Sequence, residues 1–216
     1  MAGEANTLAV PKDREKTFER GFKTWCENTA ESIRKRMDLQ PSDPLSPVEL
    51  AAHLGVVLLD LDKVPRIDQA IVSYLSSAEG DEWSALTVHA NGKQIIIVNP
   101  RHSQARQASN IMHELAHILR GHKPAQVFMH GVFALRDFDQ MQEAEANWFA
   151  GCLLLPRAAL LSSGYRNESV DDAIARFGVS RSLFVYRTNI SGVGRQLRAI
   201  NHYYPMPRHP SRNLVQ

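Results

Sequence analysis

Apolar positions recur first at helical spacing. Over residues 13–37, Phe18, Phe22, Trp25, Ala30 and Ile33 form a stripe that predicts an amphipathic helix. The Pro- and Ser-rich residues 40–47 predict a turn. Ser46-Pro47-Val48-Glu49 then opens a second helix, with serine as its cap and proline at its first position, and His53-Leu54-Gly55 ends it. There the period changes. Residues 56–61 read as a strand, and 84–89 and 93–99 are two β-rich runs around Ala90-Asn91-Gly92, where Asn-Gly signals a hairpin turn. The run Ile95-Ile96-Ile97-Val98 marks a buried strand leading into the next helix.

Ser103 is a plausible cap for that helix, Ile111, Met112, Leu115, Ala116, Ile118 and Leu119 would bury it, and Gly121 would stop it. A second long helix is expected over 142–155, broken by Pro156. Residues 169–185 read as a helix–turn–helix in which Ala175 packs early, Gly178 turns the chain and Ser180 caps the second helix. That second helix would either enter a nucleic-acid groove with Arg181 and Arg187 or simply close the core. The fold class expected is therefore α+β. A domain over 1–156, with N-terminal helices and a small antiparallel sheet, precedes a basic helical region over 157–216 that ends in a loose tail with Pro205, Pro207 and Pro210.

The segment 111–117 changes the picture, because it contains His113-Glu114-Leu115-Ala116-His117. On a helix the two histidines stand roughly 40° apart, so both rings can reach one zinc ion. Glu114, between them, can take a proton from water that zinc has acidified, which is the chemistry of peptide hydrolysis. The alternative is two histidines on an ordinary helix, but burying them with a glutamate is costly unless something binds them. A third histidine at the metzincin spacing is excluded, since Lys123 stands there, and His122, one place off, suits the helix end. Glu143 and Asn147, four apart on one face of the second helix, suit a third ligand and an amide that orients a ligand histidine. Glu145, whose neighbour one turn on is the core residue Phe149, is the less favoured ligand. Candidates for stabilising an oxyanion are His130, Tyr165 and His202.

Composition adds little until it is divided. Across 216 residues, 44% hydrophobic and 22% charged content is ordinary for a globular chain. The first twenty residues hold no apolar signal segment and no run approaches the ~18 residues of a membrane span, so a cytoplasmic, non-membrane protein is expected. Cys26 and Cys152 make no disulfide framework; Cys152 suits the core, and Cys26 is a candidate inhibitory thiolate on the metal. Residues 1–156 hold 16 basic and 20 acidic side chains, net −4, whereas 157–216 hold 9 and 3, net +6. Arg181, Arg187, Arg195 and Arg198, interleaved with Phe184, Tyr186, Tyr203 and Tyr204, could meet phosphates and stack bases, as in single-stranded DNA. Otherwise they form a solvated or acid-paired face.

In this order the motifs resemble those of the ImmA/IrrE family of bacterial and phage metallopeptidases. The likeness runs through residues 48–56, the strand at 95–99, Met112-His113-Glu114-Leu115-Ala116-His117-Ile118-Leu119, the segment 143–150, Leu153-Leu154-Leu155-Pro156 and Phe177-Gly178-Val179-Ser180. The resemblance implies a zincin-like peptidase domain followed by a small helical region. It implies one zinc ion held by His113, His117 and Glu143, with Glu114 as the base. It also implies a helix–turn–helix repressor as substrate, cut to induce stress, DNA-damage, mobile-element or phage-defence genes. Two other classes remain to be tested: a DNA-binding regulator with a structural zinc, and a toxin–antitoxin component without proteolysis.

Overall fold

A computed structural model describes residues 18–64, 72–73, 83–90, 92–123, 126–130, 133–137 and 139–200. The expected helix start at residue 13, the hairpin residue Asn91, the candidate His202 and the proline-rich tail lie outside them. The first helix, α1 (Phe22–Arg36), buries Phe22, Cys26, Ala30 and Ile33 at helical spacing. Trp25 stays 37% exposed and leans on Phe22 and Phe149 instead of entering the core. Helix α2 (Pro47–His53) starts as expected, with the Ser46 side chain accepting from Glu49 N.

Strands β1 (Val57–Asp60), β2 (Ala85–Ala90) and β3 (Lys93–Val98) follow, then helix α3 (Gln104–Arg120), and then strands β4 (Gln126–His130) and β5 (Phe133–Asp137). The described strands form a sheet in the order β1-β3-β2-β5-β4. β2 and β3 are the expected antiparallel hairpin, but β1 runs parallel to β3, with Val57 opposite Ile95, so the sheet is mixed rather than antiparallel. Ile96, Ile97 and Val98 are buried in succession, which requires cover on both faces and puts β3 inside the sheet. Its hairpin partner takes one side and β1 the other. Periodicity identified these strands but carries no information on that second neighbour. The β4–β5 hairpin, added to β2 at Val88 and Leu135, was not anticipated.

Helix α4 (Gln140–Leu154) begins at Asp139, whose carboxylate accepts from Met141 N and Gln142 N. Beyond Pro156 come α5 (Arg157–Tyr165), α6 (Val170–Phe177), α7 (Arg181–Ile190) and α8 (Val193–Ala199). Ser180 caps α7 and Gly178 makes the turn as expected; the cap of α6 by Ser169 and helices α5 and α8 were not foreseen. Gly164 lets α5 and α8 touch: a Cβ there would stand 2.2 Å from Leu197 Cδ1. One hydrophobic cluster runs from Phe22 to Leu197 and crosses the boundary expected at residue 156. A smaller one, containing Leu61, Val64, Val72, Val88 and Ile97, lies elsewhere on the sheet. Among the described residues no helix is long and apolar enough to cross a membrane.

Two fully buried arginines tie the halves together at the end of α4. Arg34 of α1 donates to Leu153 O at 2.8 Å, and Arg187 of α7 donates to Leu155 O at 3.0 and 3.1 Å. These are carbonyls that the helix end leaves without intrahelical partners. Glu27 of α1 supplies the counter-charge: its Oε1 accepts from Arg187 at 2.6 Å, and its Oε2 accepts from Arg157 N at 2.8 Å, capping α5 where Pro156 offers no side-chain cap. Arg187, 1% exposed, is therefore unavailable to nucleic acid, which corrects that expectation. Its place in the sequence suited a groove, but on α7 it falls on the inward face.

Removing one partner of a buried pair leaves an uncompensated charge. Glu27→Ala is expected to lower the unfolding free energy by about 3 kcal/mol, read from urea denaturation. A loss below about 1 kcal/mol would mean that the carbonyl bonds alone hold Arg187.

Candidate metal centre

Helix α3 presents His113 and His117 on one side while Met112, Leu115 and Ala116 are buried. It packs against α4, and the fully buried Ala116 and Ala146 keep side-chain bulk low on these facing helices. Glu143, in the first turn of α4, then reaches both rings. His113 Nε2 lies 3.2 Å from Glu143 Oε2, His117 Nε2 lies 3.2 Å from Glu143 Oε1, and the two Nε2 atoms are 3.1 Å apart. Ligand atoms of the three residues all fall within 4.8 Å of one another.

The other ring nitrogen of His117 is engaged elsewhere. His117 Nδ1 is 3.0 Å from His122 Nδ1. Where Nδ1 carries the proton, the Nε2 lone pair of His117 faces a carboxylate oxygen, and a cation between them relieves the repulsion. Tetrahedral zinc with bonds of about 2.05 Å separates its ligands by about 3.3 Å, so the 3.1 Å between the two Nε2 atoms fits such an ion, with a Glu143 oxygen as third donor within 4.8 Å of both. Two imidazoles and a carboxylate are also a donor set that zinc accepts.

Electrostatics agree with that use at His117 and Glu143. Burial outweighs the hydrogen bond that Glu143 accepts from His117 and holds the ring's pKa below the ordinary histidine value, favouring the neutral ring that binds metal. At His113 burial also lowers the pKa, but the Glu143 hydrogen bond and the charges of Glu114 and Glu143 more than offset it, for a net rise. Burial alone would raise the Glu143 pKa; its hydrogen bonds to the two histidines bring it down to about 2. It is a carboxylate at neutral pH.

Around the donors, the Asn147 side chain lies near His113 and favours its protonated ring, as an amide oxygen facing a ring N–H would. Glu114 Oε2 accepts from Thr87 Oγ1 at 2.5 Å. Thr87 was missed in the sequence, where nothing in its spacing marks it; it sits opposite Ile96 on β2, and the pairing turns it toward the α3 face. Glu145, the rival ligand, turns away and accepts from Arg120 Nε at 2.9 Å, with His122 Nε2 at 3.1 Å from the same oxygen.

Tyr165 lines a groove of about 500 Å³ with Gln40, Pro41, Ser42 and Leu161, a lining that includes no residue of α3. His130 ends β4. Cys26 is fully buried, and its hydrogen bond with Cys152, together with burial, pushes its pKa well up, so it is a core thiol and not a thiolate on a metal. Arg181 pairs with Asp171, while Arg195 and Arg198 stand exposed on α8.

A mixed α+β domain whose adjacent helices converge two histidines and a glutamate defines a candidate metal-dependent hydrolase. The chain belongs to the peptidase family described as the IrrE N-terminal-like domain, whose profile matches residues 71–189, more than half of it. Among solved structures, a Mycobacterium tuberculosis transcriptional regulator is similar over 82% of this chain and 48% of its own, with a TM-score of 0.50 and 17% identity. At that identity the likeness shows the fold. The chain spans about half the length of that regulator. Comparison with curated proteins gives no match.

His113→Ala, His117→Ala and Glu143→Ala are each expected to abolish one-to-one zinc binding, measured by metal analysis of the purified protein. Glu145→Ala should retain a full equivalent at saturating zinc. Loss of zinc in Glu145→Ala with retention in Glu143→Ala would reverse the assignment.

Proposed function

We propose that the protein is a zinc-dependent endopeptidase in which His113, His117 and Glu143 hold one metal ion and Glu114 is the general base. The convergence of three donors beside a glutamate held by Thr87 carries this reading. A zinc ion so held supplies Lewis acidity, polarising a carbonyl and lowering the pKa of water toward ~7. The rest is the work of side chains. Glu114 takes the proton of the attacking water and passes it to the leaving amine. Thr87 orients the Glu114 carboxylate that takes the proton, and Asn147 holds the His113 ring. Strand β4, at the edge of the described sheet, offers backbone groups to an extended peptide.

Three protein donors among the described residues is the count of a catalytic zinc site, whereas a structural site has four. That supports a peptidase over a regulator with a structural zinc, or a toxin–antitoxin partner without proteolysis. The resemblance to the ImmA/IrrE family supplies the substrate class, a helix–turn–helix repressor whose cleavage induces stress or defence genes. A cytoplasmic location fits such a substrate.

Glu114→Gln is expected to keep zinc and lose cleavage by about 10²–10⁴-fold, the usual cost of a positioned base. The assay incubates the protein with any helix–turn–helix repressor found encoded beside its gene and follows fragments by mass spectrometry. Undiminished cleavage by the variant would sink the mechanism.

Activation by single-stranded DNA is a further part of this reading, supported by the +6 charge of residues 157–216 and by the exposure of Arg195 and Arg198. Binding should weaken with salt, log K falling by about 0.7 per neutralised phosphate. Replacing Arg195 and Arg198 with glutamate is expected to reduce DNA affinity and stimulated cleavage while leaving zinc content unchanged. Fluorescence anisotropy at two salt concentrations measures it, and no binding at low salt would remove DNA from the scheme.

A further inference from the structure

Beyond the donors lies a buried chain of polar groups that a metal site alone does not require. Arg120 Nε lies 2.9 Å from Glu145 Oε2, that oxygen 3.1 Å from His122 Nε2, and His122 Nδ1 3.0 Å from His117 Nδ1. The side chains of His122 and Glu145 are only 6% and 12% exposed. An imidazole and a carboxylate so deeply placed are costly unless each bond is made.

The proton positions follow in sequence. A guanidinium only donates and an ionised carboxylate only accepts, so with Arg120 and His122 both facing Glu145 Oε2, His122 Nε2 carries a proton and donates. Neutral His122 then has its lone pair on Nδ1 and accepts from His117. That puts the His117 proton on Nδ1 and leaves its Nε2 lone pair directed at Glu143. With a cation between His117 Nε2 and Glu143, this neutral arrangement of the two rings fits each of these bonds.

Local backbone puts His122 there. Gly121 has φ 69°, a left-handed conformation that side chains resist, and it lets His122 N bond back to His117 O while Gly121 N bonds to Ile118 O. This is the Schellman closure of α3. It returns residue 122 over residue 117, so the two rings meet. His122 thus touches the same histidine through both backbone and ring.

We propose that His122 and Glu145 are positioning residues of the metal centre, acting through His117: Glu145 sets the tautomer of His122, and His122 in turn sets that of His117. The proposal rests on the metal-site reading above and deepens it. It gives His122 a role besides closing the helix. It assigns Glu145 to orientation of a ligand and not to ligation.

The test is zinc affinity of the full chain, measured by competition with a chromophoric chelator, with cobalt(II) absorption as a second view of the ligand field. His122→Phe keeps a ring but no acceptor, whereas Asn at 122 can place its Oδ1 near the lost Nδ1. His122→Phe is expected to weaken zinc by about 10–100-fold, with one equivalent still bound at saturation, and His122→Asn to recover most of that loss. Affinity of His122→Phe within two-fold of the parent would overturn the proposal. Equal weakening in Phe and Asn would overturn it too, since packing and not acceptance would then be the cause. If the Phe variant does not fold, Glu145→Gln decides: several-fold weaker zinc with an altered cobalt spectrum supports the chain of bonds, and an unchanged affinity refutes it. Failure of the parent itself to bind zinc or cobalt would instead overturn the metal site on which all of this stands.

Discussion

Three ligand atoms within 4.8 Å of one another constrain two helices, not three residues. His113 and His117 come together because they share a helix, but Glu143 belongs to another, and a slip of α4 by one residue would move its carboxylate by 1.5 Å and rotate it by about 100°. The register between α3 and α4 is held where Glu145 meets Arg120 and His122. The far end of α4 is held as well, by Arg34 of α1 and Arg187 of α7, which occupy the carbonyls of Leu153 and Leu155. Such a clamp resists sliding in a way that apolar packing, which is non-directional, does not. Cations at a helix C-terminus also oppose the negative end of its dipole.

The clamp explains why the chain beyond Pro156 shares a core with what precedes it. Arg187 would be an unpaired buried charge without Glu27, and the same carboxylate caps α5. One acidic side chain on α1 thus serves the end of α4 and the start of α5, which are consecutive in sequence. Burial lowers the Arg34 pKa, but only to about 10, because Asp43, Glu27 and Glu31 oppose it, so the guanidinium remains charged at neutral pH.

Much of this was legible in the sequence wherever the rule is local. Ser46, Ser103 and Ser180 cap helices because a short side-chain oxygen finds an amide three residues on, and Gly121 ends α3 because few other residues take its φ. Helical spacing placed His113 with His117 and set Glu143 beside Asn147. Contacts between distant segments were not legible. Thr87 meets Glu114 through strand register, β1 lies parallel to β3 through sheet order, and Arg187 turns inward because of helix packing. His122 lies between these cases. Its backbone role followed from the glycine before it, but its ring contact depends on Glu145, which arrives from another helix.

The arginines that remain exposed bear on α4 by a short mechanical route. Arg195 and Arg198 belong to α8, whose Val193 and Leu197 are fully buried, and Leu197 lies against Gly164 of α5 with no room for a side chain between them. The first amide of α5 is held by Glu27, and Glu27 also holds the arginine that clamps the end of α4. If DNA binds there as proposed, it would act on a helix that shares its anchor with the helix of Glu143. Coupling of this kind needs no contact between DNA and the metal; it needs only that displacing α8 alters the clamp more in one state of the protein than in another. Salt dependence and metal affinity would then move together, and a DNA site that only tethers substrate would change the first without the second.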